Sequence, residues 1–322
     1  MIAVLTLLLL AAVALRLCVY RGTLSLDGAV EFFDLRSLRV AVALTVGAAL
    51  AVSGVLLQAL VRNVLASPDL LGVSAGASLA VVLAGVLGGG AGSSIGLTFV
   101  GDSAFHAVPA FVGAIVTLLL VLALGRRKGG VIDPVSLALT GVIVGVICGA
   151  GVMLVMHLSG TLSPSSIRVL VGSISDETRW PILASVAAAT VVLTAIAVRM
   201  GPALDVLSMS DDEAQSVGVN TKVIRVWLVL MAGALAAGAV VLAGPVGFVG
   251  LVCPHAVRLV AGPRSRPLVI GAALAGAAMV VLADAVTAAL DLPTGRLPLG
   301  VVTAVFGGIG LIIILRRSPL TR

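Results

Sequence analysis

Side chains able to do chemistry are sparse in these 322 residues, and they gather in a few stretches. The densest is 205–218, where Asp205 is followed by Ser210, Asp211, Asp212, Glu213, Ala214 and Gly218. Clustered carboxylates can hold magnesium, which would suit an intramembrane lipid- or prenyl-transfer enzyme. The same residues also suit a purely structural role. Ser210 and Glu213 form a capping box, Asp211 and Asp212 favour the positive end of a helix dipole, and Gly218 is a helix stop. The spacing predicts a short helix from Ser210 towards Val217. It serves either as a docking element for a partner or as a solvated connector.

A second stretch runs from Gly244 to Arg258. Gly244, Pro245 and Gly247 predict a tight turn that ends the preceding helix. Pro254 then interrupts a short helix carrying His255 and Arg258 three residues apart on one face. A histidine there could carry a proton or bind haem or a metal. It has no Glu or Cys at ligand spacing, and Cys18, Cys148 and Cys253 share no short spacing. The expectation is therefore no metal site, with His255 bonding backbone freed by Pro254. Met153, Met156 and His157 invite a haem reading in the same way, and the methionines are read as packing residues.

A third stretch spans Gln58 to Ala77. Arg62 and Asn63 end one helix, and Ser67, Pro68 and Asp69 start another. Gly72 and Gly76 give the new helix a close-packing face. One acid, Asp284, lies well inside an apolar run. Such a residue is a candidate coupling site for an ion-driven transporter, although a lone one serves that purpose poorly. A P-loop needs a lysine between glycine and Ser/Thr, and here Lys128 and Lys222 follow Arg127 and Thr221. Any nucleotide that drives this protein must be hydrolysed by another subunit.

The elements that hold these residues are apolar helices. Hydrophobic residues make up 60% of the chain and charged residues 11%, against roughly half and about a quarter in soluble domains. Soluble enzymes, nucleic-acid binders and disordered scaffolds are excluded. Apolar segments lie at 1–20, 38–61, 70–89, 104–125, 134–158, 180–198, 223–243, 248–261, 268–290 and 297–315. Most approach the roughly 20 residues needed to span a bilayer. The expectation is an all-α, polytopic membrane bundle of about ten transmembrane helices, with the first segment a retained span. With both termini cytoplasmic, thirteen of the 20 basic residues fall inside and seven outside.

Taken together, the three motif stretches resemble the permease subunits of bacterial ABC importers for ferric siderophores, haem and vitamin B12. That family's Gln, Arg-Asn-Pro-Leu-Ala-x-Pro, Leu-Gly-x-x-x-Gly-Ala pattern stands at Gln58 to Ala77, with Val64 replacing the first proline. Its Gly-Pro-x-Gly-Phe-x-Gly-Leu-x-x-Pro-His-x-x-Arg signature is complete from Gly244 to Arg258, and Leu-Pro-x-Gly-x-x-Thr-Ala follows at Leu297 to Ala304. The resemblance implies one permease domain over 1–322 in the bacterial cytoplasmic membrane, importing a ferric siderophore or related chelate by alternating access. Haem and vitamin B12 are the alternative cargoes. It also implies two separate ATPase subunits, an extracytoplasmic substrate-binding protein and a second permease chain, identical or similar. This chain itself would hold no cofactor and perform no catalysis.

Within that frame 205–218 becomes the coupling-helix loop gripped by the ATPase. Arg36 and Arg39, with Arg296, are expected to face acids of the binding protein. The chain departs from the pattern at several positions. Ser210 stands where the family usually has Gly, and Gly307-Gly308-Ile309-Gly310-Leu311 replaces Gly-x-Pro-Phe-Phe. Ala288 and Arg296 stand where Arg and Glu are common. Asp284 having lost its usual neighbour, the expectation is that it pairs with Arg296.

Overall fold

The structure is a computed structural model that describes residues 1–20, 23–24, 33–87, 102–125, 133–159, 171–174, 178, 180–207, 220–262, 264–292 and 295–317. Ten apolar helices stand at the ten apolar segments of the sequence. They are α1 (Ile2–Cys18), α2 (Phe33–Val61), α3 (Val73–Leu87), α4 (Asp102–Leu124), α5 (Pro134–Ser159), α6 (Trp180–Arg199), α8 (Thr221–Ala243), α9 (Val249–Ala261), α10 (Ser265–Ala289) and α11 (Leu299–Arg317). A seven-residue helix, α7 (Gly201–Leu207), follows α6, and a 3-10 turn, Pro68–Leu71, precedes α3. By length and apolarity six helices can cross a membrane: α2, α4, α5, α6, α8 and α10. α1, α3, α9 and α11 are shorter apolar helices. Two tiny antiparallel pairs complete the described elements: β1 (Val19–Tyr20) with β2 (Thr23–Leu24), and β3 (Asp291–Leu292) with β4 (Gly295–Arg296).

α2 is the central post of the bundle. Its 18-residue apolar window is 78% buried, whereas that of α5 is 11% buried and lies at the periphery. α8, α9 and α10 pack directly on α2. Small residues make these contacts possible. A Cβ built on Gly47 would stand 2.2 Å from the Gly276 carbonyl oxygen, and one on Gly276 would stand 2.3 Å from that of Gly47. A Cβ on Gly54 would meet the Gly250 oxygen at 1.9 Å. In an apolar solvent helices gain nothing by hiding hydrocarbon, so such backbone approach and its dispersion contacts supply the cohesion. Ser53 adds a polar tie, its Oγ donating to the Ala232 carbonyl of α8 at 2.8 Å.

Gly72 and Gly76 form a second small-residue seam. Gly72 ends the 3-10 turn at φ 67, a left-handed conformation that suits glycine. The turn sits on α5, where a Cβ on Gly141 would meet the Leu70 oxygen at 1.9 Å. Gly76 lies against Thr117 and Gly113 of α4.

Candidate functional site

The motif residues converge around one break in the helix ladder. Pro254 lies inside α9 without ending it. Having no N–H, it leaves the Gly250 carbonyl, four residues earlier, without its helical donor. Gln58 of α2 supplies one: its Nε2 donates to Gly250 O and to Ala66 O, both at 3.4 Å. Arg258 Nη2 donates to Gln58 Oε1 at 3.3 Å, so donor and acceptor demands fix the amide's orientation. Gly54, one turn before Gln58, allows the close approach. This corrects the expectation for His255. The histidine is 3% exposed, and neither ring nitrogen has a hydrogen-bond partner. The freed carbonyl is bonded by Gln58.

Before this helix, α8 ends at Ala243 with Gly244 as its C-cap at φ 66. Pro245 presents its carbonyl to Gly172 and Gly300. Phe248 then takes φ 68, a strained value for a bulky side chain, at the N-cap of α9. Gly307 leaves room for it, since a Cβ there would come within 2.5 Å of Phe248 Cβ. Gly307 is the glycine shared with the family pattern at 307–311, and Gly247 has open space beside it.

One end of the bundle carries α7, where the 205–218 stretch begins. Ser210, Asp211, Asp212, Glu213, Ala214 and Gly218 lie outside the described residues, whereas Asp205 does not. Its Oδ1 accepts from Ser265 N at 2.9 Å and from Ser265 Oγ at 2.6 Å, joining α7 to the first residue of α10. Arg62 turns α2 off at φ 53, and its Nε donates to the Leu207 carbonyl at 2.8 Å. Asn63 shapes the following turn, its Oδ1 accepting from Leu65 N at 2.9 Å. Both ties reach the end of α7, at Asp205 and Leu207.

The opposite end holds a buried charge cluster that corrects the expectation for Arg36 and Arg39. Asp284 is 1% exposed. One of its carboxylate oxygens accepts from Arg16 Nε of α1, and the other from Arg39 Nη2 of α2 at 2.9 Å. The expected partner, Arg296, has its side chain outside the described residues; the described partners are Arg16 and Arg39. α1 packs along α10 and delivers Arg16, a route invisible to the spacing along the chain. Arg36 and Arg39, expected on the surface for docking, are instead buried in α2. Arg36 Nη1 donates to the Leu17 carbonyl at 2.8 Å, and Arg39 Nη1 to the Ile174 carbonyl at 3.2 Å. An unpaired buried charge is costly, and sharing Asp284 is what makes the burial of two guanidinium groups tolerable. Of Arg296 the backbone alone is described, in β4.

Met153 and Met156 are likewise not packed within the chain. They are 74% and 39% exposed on α5, and His157 beside them is exposed. Among the described residues no group of three or more His, Cys, Asp or Glu could hold a metal ion. The arrangement has the parts of a mechanical device: rigid small-residue contacts, charged ties at both ends and a helix break bridged by side chains.

Comparison with known proteins agrees. The model of the FecCD transport family matches residues 2–317. The chain is 34% identical to the Fe(3+)-citrate import system permease protein YfmE of Bacillus subtilis over 294 residues, 90% of this chain and 83% of that one. It is 36% identical to the vitamin B12 import system permease protein BtuC of Serratia proteamaculans, with the same coverage. A solved structure described as an inward-facing conformation of a metal-chelate type ABC transporter superposes with a TM-score of 0.84 at 28% identity, covering 98% of each chain. The chain therefore belongs to the FecCD transport family: it is a multi-pass inner-membrane permease subunit of an ABC importer, not an enzyme, and works with ATPase subunits that hydrolyse the ATP and with a substrate-binding protein.

Proposed function

We propose that this permease passes a ferric siderophore or a related iron chelate inward by alternating access, from the inward-facing state that its likeness to a metal-chelate type transporter suggests. The observation that carries the cargo reading is that likeness over 98% of the chain, joined by the ferric-citrate relative. Vitamin B12 is the second reading, favoured by the 36% identical relative. Binding measurements on the cognate substrate-binding protein separate them. Ferric siderophores and ferric citrate are expected to bind, and cyanocobalamin is not. Cobalamin binding without any iron chelate overturns the proposal.

In this proposal residues 205–218 form the coupling helices that dock into a groove of each ATPase. Asp205 and Arg62 support that role by tying the segment's flank to α10 and α2. Arg296 is the docking arginine for the binding protein, while Arg36 and Arg39 serve inside the bundle. A second permease chain, identical or similar, covers the apolar face of α5, where Val146, Ile147 and Met153 are exposed.

A further inference from the structure

Arg39 has two acceptors that belong to different parts of the molecule. Its Nη2 bonds Asp284 on α10, and its Nη1 bonds the carbonyl of Ile174 in the segment that follows α5. The planar guanidinium fork suits such a double contact, and Arg16 shares the same carboxylate from α1. The 171–174 segment is lodged against the bundle by glycines. Gly300 N donates to Gly172 O at 3.1 Å, and a Cβ on Gly172 would meet the Pro245 oxygen at 2.0 Å.

The same two helices, α2 and α10, reach the coupling end. Arg39 and Arg62 are 62 − 39 = 23 residues apart in α2 and its final turn, about 35 Å of rise. Ser265 and Asp284 are 284 − 265 = 19 residues apart in α10, about 29 Å. Between these ends the helices touch backbone to backbone at Gly47 and Gly276, with no side chain between them to absorb a displacement. At the far end Arg62 holds Leu207 O, and Asp205 holds Ser265. The carboxylate that holds Arg39 and the residue that Asp205 holds thus lie on one helix.

We propose that Arg39, held in place by Asp284 and Arg16, is a latch that keeps the 171–174 segment closed on the outer end of the bundle, and that the joined α2–α10 pair works this latch from the coupling loop. A charged hydrogen bond in a water-poor site is a two-state contact: it is made or it is lost, so helix displacement releases it as a step. The proposal rests on the import reading above. It adds the residues by which nucleotide-driven movement at one end reaches the gate at the other.

The test uses the complete permease–ATPase complex in lipid nanodiscs. Cys18, Cys148 and Cys253 are replaced by Ala, and Ile174→Cys provides the single thiol for a membrane-impermeant maleimide. Without nucleotide, Asp284→Asn and Arg39→Gln are expected to raise the labelling rate about tenfold, the effect of losing one charge-assisted hydrogen bond. Arg39→Lys keeps the charge beside Asp284 but loses the fork. It should raise labelling by a smaller factor, and it decides the matter if the neutral variants do not assemble. Arg62→Gln should leave nucleotide-free labelling as it was and abolish its change on adding ATP. Unchanged labelling in assembled Arg39 variants overturns the latch, and a persisting ATP response in Arg62→Gln overturns the α2–α10 link. A complex that hydrolyses ATP and imports with unaltered labelling refutes the latch alone. A permease that binds no ATPase refutes the import reading instead.

Discussion

Gln58 and Asp284 illustrate what single residues contribute and how far each could be read from the sequence. Gln58 was legible as part of a motif, and Pro254 as a residue that frees a carbonyl. That the two meet was not legible, because the acceptor, Gly250, is 192 residues away from Gln58. Replacing Gln58 with Leu leaves Gly250 O without a donor and should cost about 1–3 kcal/mol of stability. Gln58→Glu keeps a partner for Arg258 but cannot donate, so it should rescue only part of that loss. Thermal unfolding in detergent measures both, and an unchanged midpoint in Gln58→Leu would remove the amide from the account. Asp284 was recognisable as an acid that needs a partner. Arg296 is the neighbour along the chain, its side chain outside the described residues; the described partners, Arg16 and Arg39, come from 268 and 245 residues away. Asp284→Asn leaves two buried arginines sharing a neutral amide, and the expected destabilisation is about 3–5 kcal/mol. A loss under 1 kcal/mol in the same unfolding measurement would mean that the cluster is held by other groups.

Among the elements, the apolar runs announced the helices well, since length and apolarity are properties of each segment by itself. The order in which helices pack is a property of pairs, written mainly in glycines whose partners lie far along the chain. Gly47 and Gly54 look alike in sequence, yet one meets α10 and the other α9. Gly47→Val and Gly54→Val should therefore both fail to yield folded protein, because a Cβ would overlap backbone that has no rotamer to change. Gly149 on α5 has nothing within 4 Å. Gly149→Ala should fold as well as the parent, gaining up to about 1 kcal/mol from helix propensity. Fluorescence-detected size-exclusion yields decide between these outcomes. Equal yields from Gly47→Val and Gly149→Ala would contradict the packing described. The 3-10 turn on α5 and the positive φ of Phe248 were also beyond the sequence, since neither leaves a periodic signature.

For the whole molecule, composition excluded soluble classes and the long signature from Gly244 to Arg258 carried the family. The cargo is less legible, for the family's relatives import both ferric citrate and vitamin B12 through similar chains. What the structure specifies is that α2 and α10 each carry a tie to α7 at one end, through Arg62 and Ser265, and share a buried charge cluster at the other, through Arg39 and Asp284. The most direct test is ATP-driven uptake of radiolabelled ferric siderophore into proteoliposomes containing the permease, its ATPase and its binding protein, with Gly218→Trp compared against the parent. Accumulation should require ATP and the binding protein, and should vanish in Gly218→Trp while insertion stays normal. Uptake that proceeds without the ATPase, or at full rate in Gly218→Trp, would contradict the account.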